Sequence, residues 1–91
     1  MVRVFVHHRV DDYPLWRRAY DAFDEERRGM GVIDDGVFCS VDDPNDVTVI
    51  HDFATMDEAK AFTGSARLRE VMHDARVSGT PEIWFTAPAT S

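Results

Sequence analysis

The chain has 91 residues, 44% of them hydrophobic and 30% charged, with five Gly and four Pro, which is the composition of one folded domain rather than of a disordered segment. Its formal net charge of −7 repels a phosphate backbone and an anionic lipid surface. No Lys/Arg cluster stands clear of acidic neighbours, so neither nucleic acid nor a membrane is an expected partner.

A chain this short buries a modest share of its unfolded surface, which makes self-association the expected supplement to its core. The single cysteine, Cys39, excludes an intrachain disulfide and has no motif around it that would activate a thiol. No apolar stretch nears the roughly 20 residues needed to cross a bilayer, and no leader-like segment precedes the first strand. These features predict a soluble, cytoplasmic protein. Without repeats or linkers, residues 1–91 are expected to form a single domain.

Val2 to Arg9 alternates Val2, Val4, Val6 and His8 on one face with Arg3, Phe5, His7 and Arg9 on the other, the pattern of a strand. "DDYPLWRRAYDAFDEERRGMG" follows, with Asp11 and Asp12 as caps and Pro14 in the first turn. Leu15, Trp16, Ala19, Tyr20 and Phe23 recur at helical spacing, which predicts one helix of about four turns. On its other side Arg17 with Asp21, and Asp24 with Arg28, form i,i+4 pairs of a solvated face. Val37–Val41 and Val47–Phe53 read as a hairpin joined by "DDPND". "TMDE", Thr55 to Glu58, is a capping box opening a short helix with Ala59 and Phe62. Gly64 and Ser65 interrupt it before a helix striped by Leu68, Val71, Met72 and Ala75. "SGTP" ends that helix, and "EIWFT" is the last strand.

The order βαββαβ predicts a four-stranded antiparallel sheet with helices on one face, the ferredoxin-like α+β arrangement. Large apolar groups lie on both strand faces: Val4 and Val6 against Phe5, Val49 against Ile50, and Ile83 and Phe85 against Trp84. Helices cover only one face, so a second copy of the sheet is the expected cover for the other.

The stretches "HHRVDDYPLW", "DDPNDV", "VIHDFATMDEAKAF" and "GTPEIWF" together resemble a small family of the dimeric α+β barrel superfamily, similar to antibiotic biosynthesis monooxygenases and, in some members, to polyketide cyclases. The resemblance spans Val2 to Thr86. It implies two ferredoxin-like subunits with facing sheets, and a cavity between each sheet and its own helices or near the barrel mouth. It further implies a small aromatic or polyketide-like ligand, and oxidation by O2 without metal or flavin, the substrate carbanion being the electron donor. No cofactor is expected. The Trp that such sites place at the end of the third strand corresponds here to Phe53, and His51 lies two residues earlier on the same face.

His51 points into the helix-covered core or into the cavity. As a neutral imidazole it is suited to take a proton from a phenol or an acidic CH, the first step of both oxygenation and aldol-type cyclisation; otherwise it is a structural residue. Of the adjacent pair, His8 ends the valine face if that face lies under the helices, and His7 then enters the barrel; the opposite register exchanges them. The resemblance favours His8, whose structural alternative is a hydrogen bond to Asp12 or to the helix N-terminus. His51, His8 and His7 are therefore the candidate catalytic groups. Phe53, Trp84, Trp16 and Tyr20 are the candidate ligand walls, each with core packing as the simpler role. His73 falls beside Arg69 and Arg76, towards solvent. Two histidines on neighbouring strands are too few for a metal site, and Asp52 points away from His51. Three functions compete: a small-molecule oxygenase or cyclase, a metabolite-binding barrel without turnover, and a purely structural barrel filled by Trp84 and Phe53.

Overall fold

A computed structural model describes residues 1–89. The elements are β1 (Val2–Val10), α1 (Tyr13–Ala22), α2 (Asp24–Gly29), β2 (Asp34–Ser40), β3 (Asp43–Phe53), α3 (Met56–Thr63), α4 (Ala66–Asp74) and β4 (Val77–Thr86). The strands form one sheet in the order β2-β3-β1-β4, with every neighbouring pair antiparallel. This is the ferredoxin-like βαββαβ arrangement, its helices stacked on one face. No helix among the described residues is long and apolar enough to cross a membrane.

Register fixes which residues face the helices. Val4 pairs with His51, Val6 with Val49 and His8 with Val47, and directly paired residues of an antiparallel ladder share a face. All six are buried. The valine face of β1 is thus the helix-covered one, and His8 and His51 lie beneath the helices. Two packed clusters share this layer: one around Val4, Val6, Phe53 and Phe62, the other around Val47, Val49, Trp16 and Tyr20.

Two helix starts follow the caps expected from sequence, Asp12 and Thr55, and a third is capped by Ser65, expected only as an interruption. Asp12 caps α1 by accepting from the Leu15 amide at 3.2 Å, Thr55 caps α3 through the Glu58 amide at 3.2 Å, and Ser65 caps α4 through the Leu68 amide at 2.9 Å. Such caps are each worth about 1 kcal/mol. The pairs Arg17–Asp21 and Arg28–Asp24 form at 3.1 and 3.2 Å.

Three segments differ from expectation. The first helix is two, because the chain breaks at Phe23 (φ −87°, ψ −1°), which ends α1 and begins α2. "DDPND" is not the hairpin loop: Val41 and Asp42 make the turn, and Asp43 already lies in β3. "SGTP" lies inside β4, where two steps along β1, His7 to Arg9, span four along β4, Ser78 to Glu82. A bulge at an edge strand absorbs Gly79, whose φ of +69° suits glycine, and Pro81, whose missing N–H costs a central ladder dearly but an edge little.

Candidate functional site

Between the sheet and its helices lies a cavity of about 40 Å³, room for about one water molecule. Val6 and His8 of β1 and Val49 and His51 of β3 form its floor, Trp16, Tyr20, Phe23 and Arg27 one wall, and Phe62 with Leu68, Val71, Met72 and Ala75 the other. Rings follow one another around it. His8 meets Trp16 edge-on with centroids 5.6 Å apart, Trp16 stacks on Tyr20 at 4.9 Å, Tyr20 lies 6.2 Å from His51, and His51 lies 4.9 Å from Phe62.

Apolar walls leave the polar atoms exceptional. Among the described residues, His51 is 4% exposed and neither ring nitrogen has a hydrogen-bond partner, and His8 is 6% exposed and its Nδ1 has none. A charged imidazole is costly in such surroundings. Burial pushes His51 down to about 4, with the nearby Arg27 guanidinium acting in the same sense. Burial likewise pushes His8 down to about 4. Both rings are held neutral at physiological pH and keep unused hydrogen-bonding capacity beside the same small space.

Arg27 is a cavity-lining polar group that the sequence reading did not single out. It is 2% exposed, its Nη1 donates to the Tyr20 carbonyl at 2.6 Å, and its guanidinium lies 3.6 Å over the Tyr20 ring. Its Nε is buried without a hydrogen-bond partner among the described residues. The signal was present: Trp16, Tyr20, Phe23 and Arg27 step by four, three and four along one stripe, so Arg27 continues the apolar face instead of joining Arg28 in solvent. Behind it, the Tyr20 hydroxyl donates to Asp35 at 2.5 Å. Burial and that bond hold the phenol well above its ordinary value. Burial alone would raise Asp35, but hydrogen bonds from Tyr20 and Arg28 outweigh it and hold the carboxyl below the usual carboxylate range.

The other sequence candidates stand elsewhere. Phe53 is wholly buried and packs on Phe62 at 5.3 Å, outside the cavity lining. Trp84 pairs with Phe5 on the opposite, open face and is 49% exposed. His7 is on that open face too, its Nε2 2.5 Å from Asp46 and its Nδ1 3.1 Å from Glu82. The cavity thus brings together His51, His8, Trp16 and Tyr20, and leaves out His7, Phe53 and Trp84. His8 makes no bond to Asp12, whose carboxylate caps α1 instead. Asp52 points to the open face and is held by Arg3 at 2.8 and 3.0 Å. Cys39 and His73 are exposed. Among the described residues no three His, Cys, Asp or Glu side chains converge as a metal-binding group.

The fold is that of solved proteins described as antibiotic biosynthesis monooxygenases. A Bordetella bronchiseptica protein provisionally named an antibiotic biosynthesis monooxygenase superposes with a TM-score of 0.80 at 15% identity, covering 98% of this chain and 97% of its own. SnoaB from Streptomyces nogalater, a cofactor-independent oxygenase, superposes with a TM-score of 0.79 at 11% identity, covering 99% of this chain and 94% of its own. Rv0793 from Mycobacterium tuberculosis gives 0.73 at 15% identity, covering 99% and 96%. No protein-family model and no curated protein sequence matches the chain.

Proposed function

We propose that this chain is a small-molecule enzyme of secondary metabolism, a cofactor-independent, monooxygenase-like protein acting on a polyketide-like aromatic compound, with His51 moving the proton. One observation carries the reading: a buried, neutral imidazole with both nitrogens unpartnered on an aromatic-walled cavity. Unsatisfied buried polar groups cost stability, so a protein that keeps one at such a place has a use for it. The name of SnoaB as a cofactor-independent oxygenase supports the reaction class. His51 takes the proton from a phenolic O–H or an acidic ring CH, the resulting anion gives electrons to O2, and His8 lies on the same floor as a second proton acceptor.

Ligand pockets commonly occupy about 300 Å³ or more, and this one holds about 40 Å³. Occupancy therefore requires α4 and its Val71 and Met72 side chains to move outward, which is the cheapest route because both are only partly buried. The protein also acts as a homodimer in this reading. Phe38, Ile50, Phe5 and Trp84 form an apolar row across the open face, with Phe38 56% and Trp84 49% exposed in the single chain; an exposed apolar row of this kind marks an interaction surface.

The test is oxygen uptake with anthrone, whose CH is acidified by two flanking rings, in buffer containing a chelator. Uptake that requires the protein and survives chelation supports the proposal. Conversion without uptake assigns a cyclase or isomerase to the same cavity, and binding without conversion assigns a carrier.

A further inference from the structure

We propose that Arg27 is the anion-holding group of this cavity, so that the ligand is seated as an oxyanion, a phenolate or enolate, between the Arg27 Nε–H and the His51 imidazole. This rests on the cavity being a small-molecule site, and names the form of ligand that it selects.

A buried cation is stable only when its charge and its donors are matched. The donors of Arg27 are matched incompletely. Its closest bond is to a neutral carbonyl, that of Tyr20. Its carboxylate partners are Asp24 at 3.0 Å, itself half exposed, and Asp35 at 3.4 Å. Both are shared: Arg28 lies 3.2 Å from Asp24 and 2.6 Å from Asp35, and Asp35 also accepts from Tyr20. Two carboxylates serve two arginines, so the cluster is balanced in charge, and what Arg27 keeps in reserve is one N–H among the described residues. The planar guanidinium is fixed by its Nη contacts and by the Tyr20 ring beneath it, so the Nε–H direction is set before any ligand arrives. A charge-assisted bond from such a donor favours an ionised acceptor over a neutral one.

His51 completes the arrangement. The Arg27 charge reaches its ring, adding to burial in holding it neutral. When a ligand hydroxyl enters, its O–H bond breaks, the proton forms an N–H on the imidazole, and the electron pair left on oxygen accepts from Arg27. The oxyanion then offsets both burial and the guanidinium charge, so the imidazole gains basicity only with substrate in place. Proton transfer is thereby confined to the loaded cavity. The rings of Trp16, Tyr20 and Phe62 suit a flat aromatic body behind that single oxygen.

The experiment uses two dyes of similar shape, 4-nitrophenol and its methyl ether 4-nitroanisole, titrated into the intact protein across the pH range in which the phenol ionises. Bound 4-nitrophenol should keep its phenolate absorbance at pH values where the free dye has lost it. Its affinity should exceed that of the ether by about tenfold or more, and Arg27→Met should abolish the difference while still binding the ether. If Arg27→Met does not fold, the wild-type pH series decides alone. A bound dye that absorbs as the neutral phenol, or equal affinities for the two dyes, overturns the role of Arg27 and leaves the cavity reading standing. Failure of both dyes to bind overturns the cavity reading, and this inference with it.

Discussion

On the open face of the sheet His7 sits between two carboxylates, 2.5 Å from Asp46 and 3.1 Å from Glu82. On the helix-covered face, among the described residues, Nδ1 of its chain neighbour His8 and both ring nitrogens of His51 on the next strand have no partner. The same side chain is therefore pushed in opposite directions across one sheet thickness. Hydrogen bonds to Asp46 and Glu82 raise His7 above its ordinary value of 6.5, whereas burial pushes His8 and His51 down to about 4. Charge on the open face is compensated locally and has no chemical work left to do. Under the helices the stabilising partners are missing, and the unpaired groups are available to a ligand.

The largest expected effect is at His51. His51→Ala should lower turnover about 10²–10⁴-fold, far more than the cavity it leaves lowers stability, because no hydrogen-bond partner is orphaned by its loss. His51→Leu sharpens the contrast: replacing an unpartnered buried imidazole by an apolar side chain should raise stability by about 1–3 kcal/mol while abolishing activity. A leucine variant that melts lower than wild type, with activity per folded molecule intact, would place His51 in the core rather than in the site.

Acid provides the next test. Both cavity imidazoles have folded values depressed from 6.5 to about 4, so below pH 6.5 the unfolded chain takes up protons that the folded chain refuses. Stability is full above pH 6.5 and is lost as pH falls towards 4. Between pH 6.5 and 5, where most carboxylates remain ionised, the loss is about 2 kcal/mol per imidazole. Urea midpoints at fixed protomer concentration should fall over that interval in wild type and fall much less in a His8→Leu/His51→Leu double variant. Equal slopes would show that neither ring is held neutral.

The open face yields a smaller effect. Light scattering should report twice the 10.4 kDa chain mass, and Trp84→Ser should shift the equilibrium towards monomer. About half of the Trp84 surface is still exposed in the single chain, so burying even about a third of that exposed area is worth about 1 kcal/mol in each protomer, or roughly tenfold or more in the dimer dissociation constant. A wild-type monomer at micromolar concentration would remove the barrel from the proposed function.

Much of this contrast was legible in the sequence, and the reasons for the rest are specific. Strand alternation in Val2 to Arg9 and the caps at Asp12 and Thr55 are local properties, readable without tertiary structure. Period 2 separates His7 from His8 but cannot say which face the helices choose; that is decided by Val4 and Val6, whose only apolar cover is the helical layer. The bulge in β4 was read as a helix stop because Gly79 and Pro81 carry turn chemistry, and an edge strand tolerates both. Arg27 is masked by its neighbours, since "DEERR" looks like a solvated run and only its place on the Trp16, Tyr20 and Phe23 stripe marks one arginine as inward. That Arg27 and His51 line one cavity depends on bringing together distant parts of the chain, which no local pattern encodes.

The smallest effect has the opposite sign, and so tests the comparison directly. Because His7 is raised in the folded state, its contribution is fully present below pH 6.5 and is lost as pH rises through the folded value. Its side chain is 34% exposed, so solvent screens the two pairs and the contribution stays below about 1 kcal/mol. Raising the pH from 5 should therefore first stabilise the protein, as the unfolded chain ceases to protonate at His8 and His51, and then cost a little as His7 loses the proton that joins Asp46 to Glu82. His7→Gln should abolish the alkaline decline and leave the acidic rise intact, whereas the double leucine variant should do the reverse. An alkaline decline that survives in His7→Gln would assign that loss to other groups and end the claim that opposite faces of the sheet drive these histidines apart.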